Sequence, residues 1–239
     1  IALNTFMPVP AEPTATPAES AAAVSGTGNT NETPLPSQGA QETDKQAEAG
    51  QDTAAENPDQ NIDLSQPAPH AQSAVLADMK SGKVLFSKNA DTRVYPASTT
   101  KILTAILVLE NANLSDVVVA SQEAIAPITN KHSHMGILVG EELTVEQLLY
   151  GMLVYSANDA ANVLAVHTSG SLNAFVDLMN QKAAELGANS SHFVNPHGFH
   201  DPDHYTTAND LFKIAQYAMQ NEKFREIVKT DMYVIQPTN

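Results

Sequence analysis

The stretch Ile102-Leu103-Thr104-Ala105-Ile106-Leu107-Val108-Leu109 is apolar on every side but for Thr104. Wound as a helix, it has no polar face to turn toward water. It must be buried all round, with other elements packed about it. The residues before it, Pro96-Ala97-Ser98-Thr99-Thr100-Lys101, predict a helix start near Ser98. Ser98 and Lys101 then stand one turn apart on one face. A lysine at the mouth of a buried helix must find partners or lose its charge, because desolvation lowers the pKa of an ammonium. An amine depressed in this way, next to a hydroxyl, is one way to activate a serine nucleophile. The plainer alternative makes Ser98 or Thr99 an N-cap and lets Lys101 snorkel to water.

The 239 residues suffice for one or two domains. A net charge of -15 argues against nucleic acid as a partner. Ten of the acids and a single base, Lys45, fall in residues 1–70. Residues 11–69 have no aromatic side chain and few aliphatic ones beyond alanine. They cannot bury enough apolar area to offset their ordering entropy, so residues 1–69 are expected to be a disordered Pro/Ala/Thr/Glu-rich tether. Residues 1–11 resemble the tail of an export signal without its basic region. No apolar run is long enough to span a membrane. With no cysteine, a thiol nucleophile and a disulfide framework are both excluded.

Order is expected from about residue 70 to 239. Ser73 to Asp78 and Lys83 to Ser87 read as the strands of a hairpin turned at Ser81-Gly82. Residues 121–140 look irregular, with Gly136 and Gly140 as breakers. Thr144-x-x-Gln147 is a capping box ahead of a helix. Further helices are expected up to Gly170, from Ser171 to Gly187, after Thr207-x-x-Asp210, and from Asn221 to Val228. Met232 to Ile235 reads as a strand. The loop between contains His192, His197, His200 and His204, whose spacing matches no zinc motif, so no metal is expected there. His132 and His134 read as polar loop residues.

Ser156-Ala157-Asn158 falls between two helices, where a loop presents short polar side chains to a cleft. Both Ser156 and Asn158 can donate and accept, which suits a proton relay beside Lys101 and a clamp on a substrate amide. By itself the pattern also fits a helix-to-helix turn with Asn158 or Asp159 as N-cap.

Ser98-x-x-Lys101 followed by Ser156-x-Asn158 resembles the serine penicillin-recognising enzymes, whose motif set is Ser-x-x-Lys, Ser-x-Asn and Lys-Thr-Gly. The match is nearer to the D-alanyl-D-alanine carboxypeptidases among the low-molecular-mass penicillin-binding proteins, peptidase family S11. It runs from about residue 71 to 235 and includes Asn195-Pro196-His197-Gly198. The resemblance implies that Ser98 is acylated, that Lys101 helps deprotonate it, that Ser156 passes a proton to the leaving group, and that Asn158 holds the substrate backbone. It implies an α/β fold of the penicillin-binding-protein/β-lactamase type, an antiparallel sheet flanked by helices. It further implies a peptidoglycan stem peptide as substrate, β-lactams as covalent inhibitors, no cofactor, and a place in the bacterial envelope outside the cytoplasm. Any membrane attachment is expected through segments not in this chain.

No Lys-Thr-Gly occurs, since Lys229-Thr230 is followed by Asp231. The chain is therefore expected to be an N-terminal piece, truncated before the strand that would close the site. A class A β-lactamase would share the first two motifs but needs a glutamate acting through water. No glutamate lies between Glu185 and Glu222, which favours the peptidase. A non-catalytic cell-wall-binding module of the same fold is the other alternative.

Overall fold

The computed structural model describes residues 70–236 and residue 238. The tether and signal readings for residues 1–69 lie outside the described residues. The first strands, β1 (Ala74–Ala77) and β2 (Val84–Lys88), form the expected antiparallel hairpin, with a register shift between Leu76 and Ala77. Its turn closes through Gly82 N–H donating to the Asp78 carbonyl at 2.8 Å, with Gly82 at φ +73°. That left-handed backbone is where glycine is favoured.

A 3-10 turn, Ala97–Thr100, runs into helix α1 (Lys101–Asn111). Beyond it come β3 (Val117–Val119), the one-turn helix α2 (Gln122–Ile125), β4 (Glu142–Thr144), α3 (Val145–Val154), α4 (Asn158–Ser169), α5 (Leu172–Glu185), α6 (Ala208–Ala218) and α7 (Glu222–Val228). β3 pairs with β4 to make a second antiparallel sheet of two strands. α1 packs against α3, α4, α5, α6 and α7, so it forms the axis of the domain. Leu103, Ile106, Leu107 and Val108 on α1 are all at most 2% exposed. Burying each of them is worth about 2 kcal/mol.

The helix starts obey local chemistry. Thr144, Ser171, Thr207 and Asn221 each accept a backbone N–H from three residues on. At Thr144 the box is reciprocal, with Gln147 Oε1 accepting from the Thr144 N–H at 2.8 Å. Thr144→Ala should therefore lower stability by about 1 kcal/mol. A urea midpoint that does not fall in the variant would refute this. α4 ends at Gly170, φ +83°, as a left-handed C-cap.

Two expectations fail. Within residues 121–140, Gln122–Ile125 is helical, because Ser121 Oγ accepts from Ala124 N–H and nucleates a turn. Met232 to Ile235 forms no strand. A strand requires a partner ladder, and none among the described residues runs beside it. Instead the Tyr233 ring stacks on Tyr150 at 3.8 Å, and Met232 stays 80% exposed.

Candidate active site

Ser98 is exposed and Lys101, one turn on, is 2% exposed. The turn that lifts Ser98 out begins at Ala97, whose φ of +48° is left-handed and costs a residue with a Cβ about 1 kcal/mol. The Pro96 carbonyl holds it, accepting from Thr99 N–H at 3.2 Å and from Thr99 Oγ1 at 2.6 Å. The loop before it is tied down by a bridge in which Val94 and Thr206 exchange both backbone bonds at 2.9 Å.

The Lys101 ammonium donates to three oxygens: Ser98 Oγ at 3.2 Å, Asn158 Oδ1 at 2.7 Å and the His197 carbonyl at 2.9 Å. Three protons meet three acceptors, and the longest contact is the one to Ser98. Burial lowers the Lys101 pKa from 10.5 to about 8, opposed by the nearby charge of Asp159. A neutral Lys101 keeps two N–H donors, enough for Asn158 and His197. Its lone pair is then left for the Ser98 hydroxyl, and this is the geometry of a general base on a nucleophile.

Asn158 opens α4 and is 6% exposed. Because its oxygen receives the Lys101 proton, its Nδ2 is the outward donor, and that nitrogen makes no hydrogen bond among the described residues. It is available to a substrate carbonyl. The N-cap of α4 is Ala157, so neither Asn158 nor Asp159 caps the helix.

Ser156 makes no hydrogen bond to the amine. It is half-buried at φ +65°, and its hydroxyl makes no hydrogen bond among the described residues. The bond expected between Lys101 and Ser156 is not formed in this arrangement. The three protons of the ammonium are already taken by Ser98, Asn158 and the His197 carbonyl.

The His197 carbonyl was not anticipated as a partner. It is presented by an Asx turn in which Asn195 Oδ1 accepts from Gly198 N–H at 2.7 Å and Asn195 Nδ2 donates to the Phe199 carbonyl at 2.9 Å. Thr104 Oγ1, the single polar group in the apolar run, donates to the Pro196 carbonyl at 2.6 Å. The same helix thus supplies the amine and anchors the turn that holds it. Asn195 followed by Gly198 was the local signal for this turn.

The loop histidines are used for packing and hydrogen bonding. His204 Nδ1 accepts from Val194 N–H at 3.1 Å, which leaves the proton on Nε2 to donate to Thr100 Oγ1 at 2.8 Å. Burial drives its pKa down to about 4, in keeping with a neutral ring. His197 Nδ1 accepts from Phe199 N–H, and burial together with Lys101 pushes its pKa to about 3. His192 Nδ1 contacts the Asp203 carbonyl, and His200 lies edge-on to Tyr95. Among the described residues, no three His, Cys, Asp or Glu side chains are grouped to hold a metal. A hollow of about 500 Å³ bounded by Met135, Tyr150, Tyr155 and Tyr233 does not reach Ser98.

An exposed serine paired with a buried, partly deprotonated lysine defines the class of serine acyl-transfer sites. The chain belongs to the D-alanyl-D-alanine carboxypeptidase family, since the Peptidase_S11 family model matches residues 60–236. It is 37% identical over 171 residues to D-alanyl-D-alanine carboxypeptidase DacF of Bacillus subtilis, covering 70% of this chain and 43% of the relative. It is 42% identical over 161 residues to the D-alanyl-D-alanine carboxypeptidase of Streptomyces sp. strain K15, covering 64% and 55%. Among solved structures, the D-alanyl-D-alanine carboxypeptidase of Mycobacterium tuberculosis H37Rv superposes with a TM-score of 0.61 at 39% identity, over 66% of this chain and 59% of that one. A serine-to-alanine mutant of Streptomyces K15 DD-transpeptidase gives 0.64 at 37%, over 67% and 65%. The expected α/β fold of the penicillin-binding-protein type is thereby shown. These relatives and structures bear a D-alanyl-D-alanine carboxypeptidase or DD-transpeptidase name. The chain spans about half the length of the curated relatives it matches.

Proposed function

We propose that this chain carries the nucleophile and base of a serine-type D-alanyl-D-alanine carboxypeptidase acting on peptidoglycan stem peptides. The observation that carries the reading is the buried Lys101 amine at 3.2 Å from the exposed Ser98 hydroxyl. Neutral Lys101 takes the Ser98 proton as Oγ bonds to the carbonyl carbon between the two terminal D-alanines. The Ser98 backbone N–H supplies one donor to the oxyanion. Collapse of the adduct breaks the C–N bond, and the proton that Lys101 took from Ser98 passes to the departing D-alanine amine. Ser156, whose hydroxyl has no partner among the described residues before substrate binds, is the proposed relay. Asn158 Nδ2 holds the substrate backbone. Water then cleaves the Ser98 ester, releasing the shortened peptide as its carboxylate. A β-lactam enters the same first step and stays on Ser98 as a slowly hydrolysed ester. Such a substrate lies outside the cytoplasmic membrane, which places the protein in the cell envelope. No helix among the described residues is long and apolar enough to cross a membrane.

The test is fluorescent penicillin on the intact protein, with the label mapped by peptide mass. It should sit on Ser98, and its rate of attachment should follow the free amine. With Lys101 at about 8, about one molecule in ten is ready at pH 7. The rate should therefore rise with pH, close to tenfold per unit at first, and level off above about 8. A label on another residue, or a rate flat from pH 6 to 9, would overturn the assignment.

A further inference from the structure

Asp159 is 1% exposed, lies next to Asn158 in the first turn of α4, and plays no part in the chemistry above. Its carboxylate is saturated by backbone donors. One oxygen accepts from Met135, Gly136 and Ile137 N–H at 3.1, 2.9 and 3.0 Å. The other accepts from Met135 N–H at 3.1 Å and Ala160 N–H at 2.9 Å. The loop is laced to α4 a second time by Asn158 N–H donating to the Ser133 carbonyl at 2.8 Å. Its other side rests on α3, where the Met135 sulfur lies 2.6 Å from the place a Cβ would occupy on Gly151.

We propose that Asp159 is a positioning residue for the acylation step: its carboxylate straps residues 135–137 across the start of α4, fixes Asn158 against the Lys101 amine, and stands as a buried negative charge beside that amine. The inference rests on the acyl-transfer reading of Ser98 and Lys101. The strap has no regular secondary structure of its own, so a buried carboxylate gathering successive N–H groups is what orders it. The groups that act on the Lys101 charge come from two elements. Asp159 on α4 raises its pKa against the dominant effect of burial, while the His197 ring, from the loop before α6, is held neutral. Asp159 is therefore the counter-charge that keeps the amine from losing its proton more readily still.

The test is Asp159→Asn. With its amide oxygen in the place of the oxygen that serves the strap, asparagine keeps the bonds from Met135, Gly136 and Ile137. It loses the charge, the Ala160 bond and the second Met135 bond, and sets an NH2 against those two N–H donors. Removing a nearby opposite charge should move the acidic limb of the penicillin acylation profile down by roughly one pH unit. The plateau should fall by about tenfold as Asn158 loosens. A merely structural defect would lower the plateau and leave the limb where it was. Asp159→Glu, which keeps the charge but displaces it, should show the lowered plateau with an unmoved limb. An unmoved limb in folded Asp159→Asn overturns the proposal. If that variant does not fold, hydrogen exchange in Asp159→Glu decides: faster exchange confined to the Met135, Gly136 and Ile137 N–H groups together with a lowered plateau supports the strap, and exchange and acylation at the wild-type rates overturn it. Failure of the acyl-transfer reading itself would look different, because the wild-type protein would then take no label on Ser98.

Discussion

Ser98→Ala should lower acylation by penicillin on the order of a million-fold, and adding Lys101→Met to it should lower it hardly further. Nucleophile and base act as one unit, so removing either removes the reaction and the second loss finds nothing left to take. Lys101→Met alone should fall nearly as far. The two variants part company in stability. Ser98 is exposed and receives one long bond, so its loss should be close to neutral. Lys101 is held at a pKa of about 8 against 10.5 for a free lysine. Between those values the unfolded chain binds more protons than the folded one, so stability should rise with pH from about 8 to 10.5. Below pH 8 the buried ammonium costs the fold about 3 kcal/mol by this linkage. Lys101→Met removes that cost and leaves Asn158 Oδ1 and the His197 carbonyl without their donor, at about 1–3 kcal/mol each. The net change at pH 7 should fall between about 1 kcal/mol of gain and about 3 kcal/mol of loss, and the rise between pH 8 and 10.5 should vanish. A melting curve of Lys101→Met that keeps the alkaline rise would show that the rise belongs to another group. A double variant much slower than Ser98→Ala alone would show that the two residues do not act together.

What could be read in the sequence was local or strongly patterned. The caps at Thr144, Ser171, Thr207 and Asn221 bond three residues along their own chain, so each is visible in a window of four. The burial of α1 follows from Ile102 to Leu109 having no polar face. Ser98 and Lys101 meet because a single helical turn brings them together. Asn158, 57 residues from Lys101, was reachable only through the resemblance of a second motif. The His197 carbonyl was missed because a backbone oxygen has no letter of its own, and the turn that aims it draws on Asn195, Gly198 and Thr104 jointly. Whether Ser156 bonds to the amine depends on the left-handed turn that sets its hydroxyl, φ +65°, which the residue types alone do not show. Met232 to Ile235 has the residue types of a strand, but a strand is a pairing and needs its neighbour. Asp159 looked like a candidate cap until its contacts placed it under a loop more than twenty residues upstream.

Gly198→Ala should lower stability by about 3–5 kcal/mol and slow acylation of whatever remains folded at least a hundredfold. Gly198 has φ +86°, where a Cβ costs about 1–2 kcal/mol by itself. The added methyl would also point into the Ala97 carbonyl and lie 2.8 Å from Thr100 Oγ1. These are the atoms of the turn that lifts Ser98. Neither can yield at small cost, because Ala97 is already left-handed and Thr100 is held by His204 at 2.8 Å. The Asx turn must therefore back away, and the His197 carbonyl goes with it, leaving the amine one acceptor short. The loss should exceed that of alanine at Gly136 or Gly170, which are equally left-handed but have nothing within 4 Å of the new Cβ. Comparing the three variants by urea midpoint separates the backbone penalty they share from the collision peculiar to Gly198. Equal midpoints would mean that the close approach of the 195–199 turn to Ala97 contributes nothing to holding the site together.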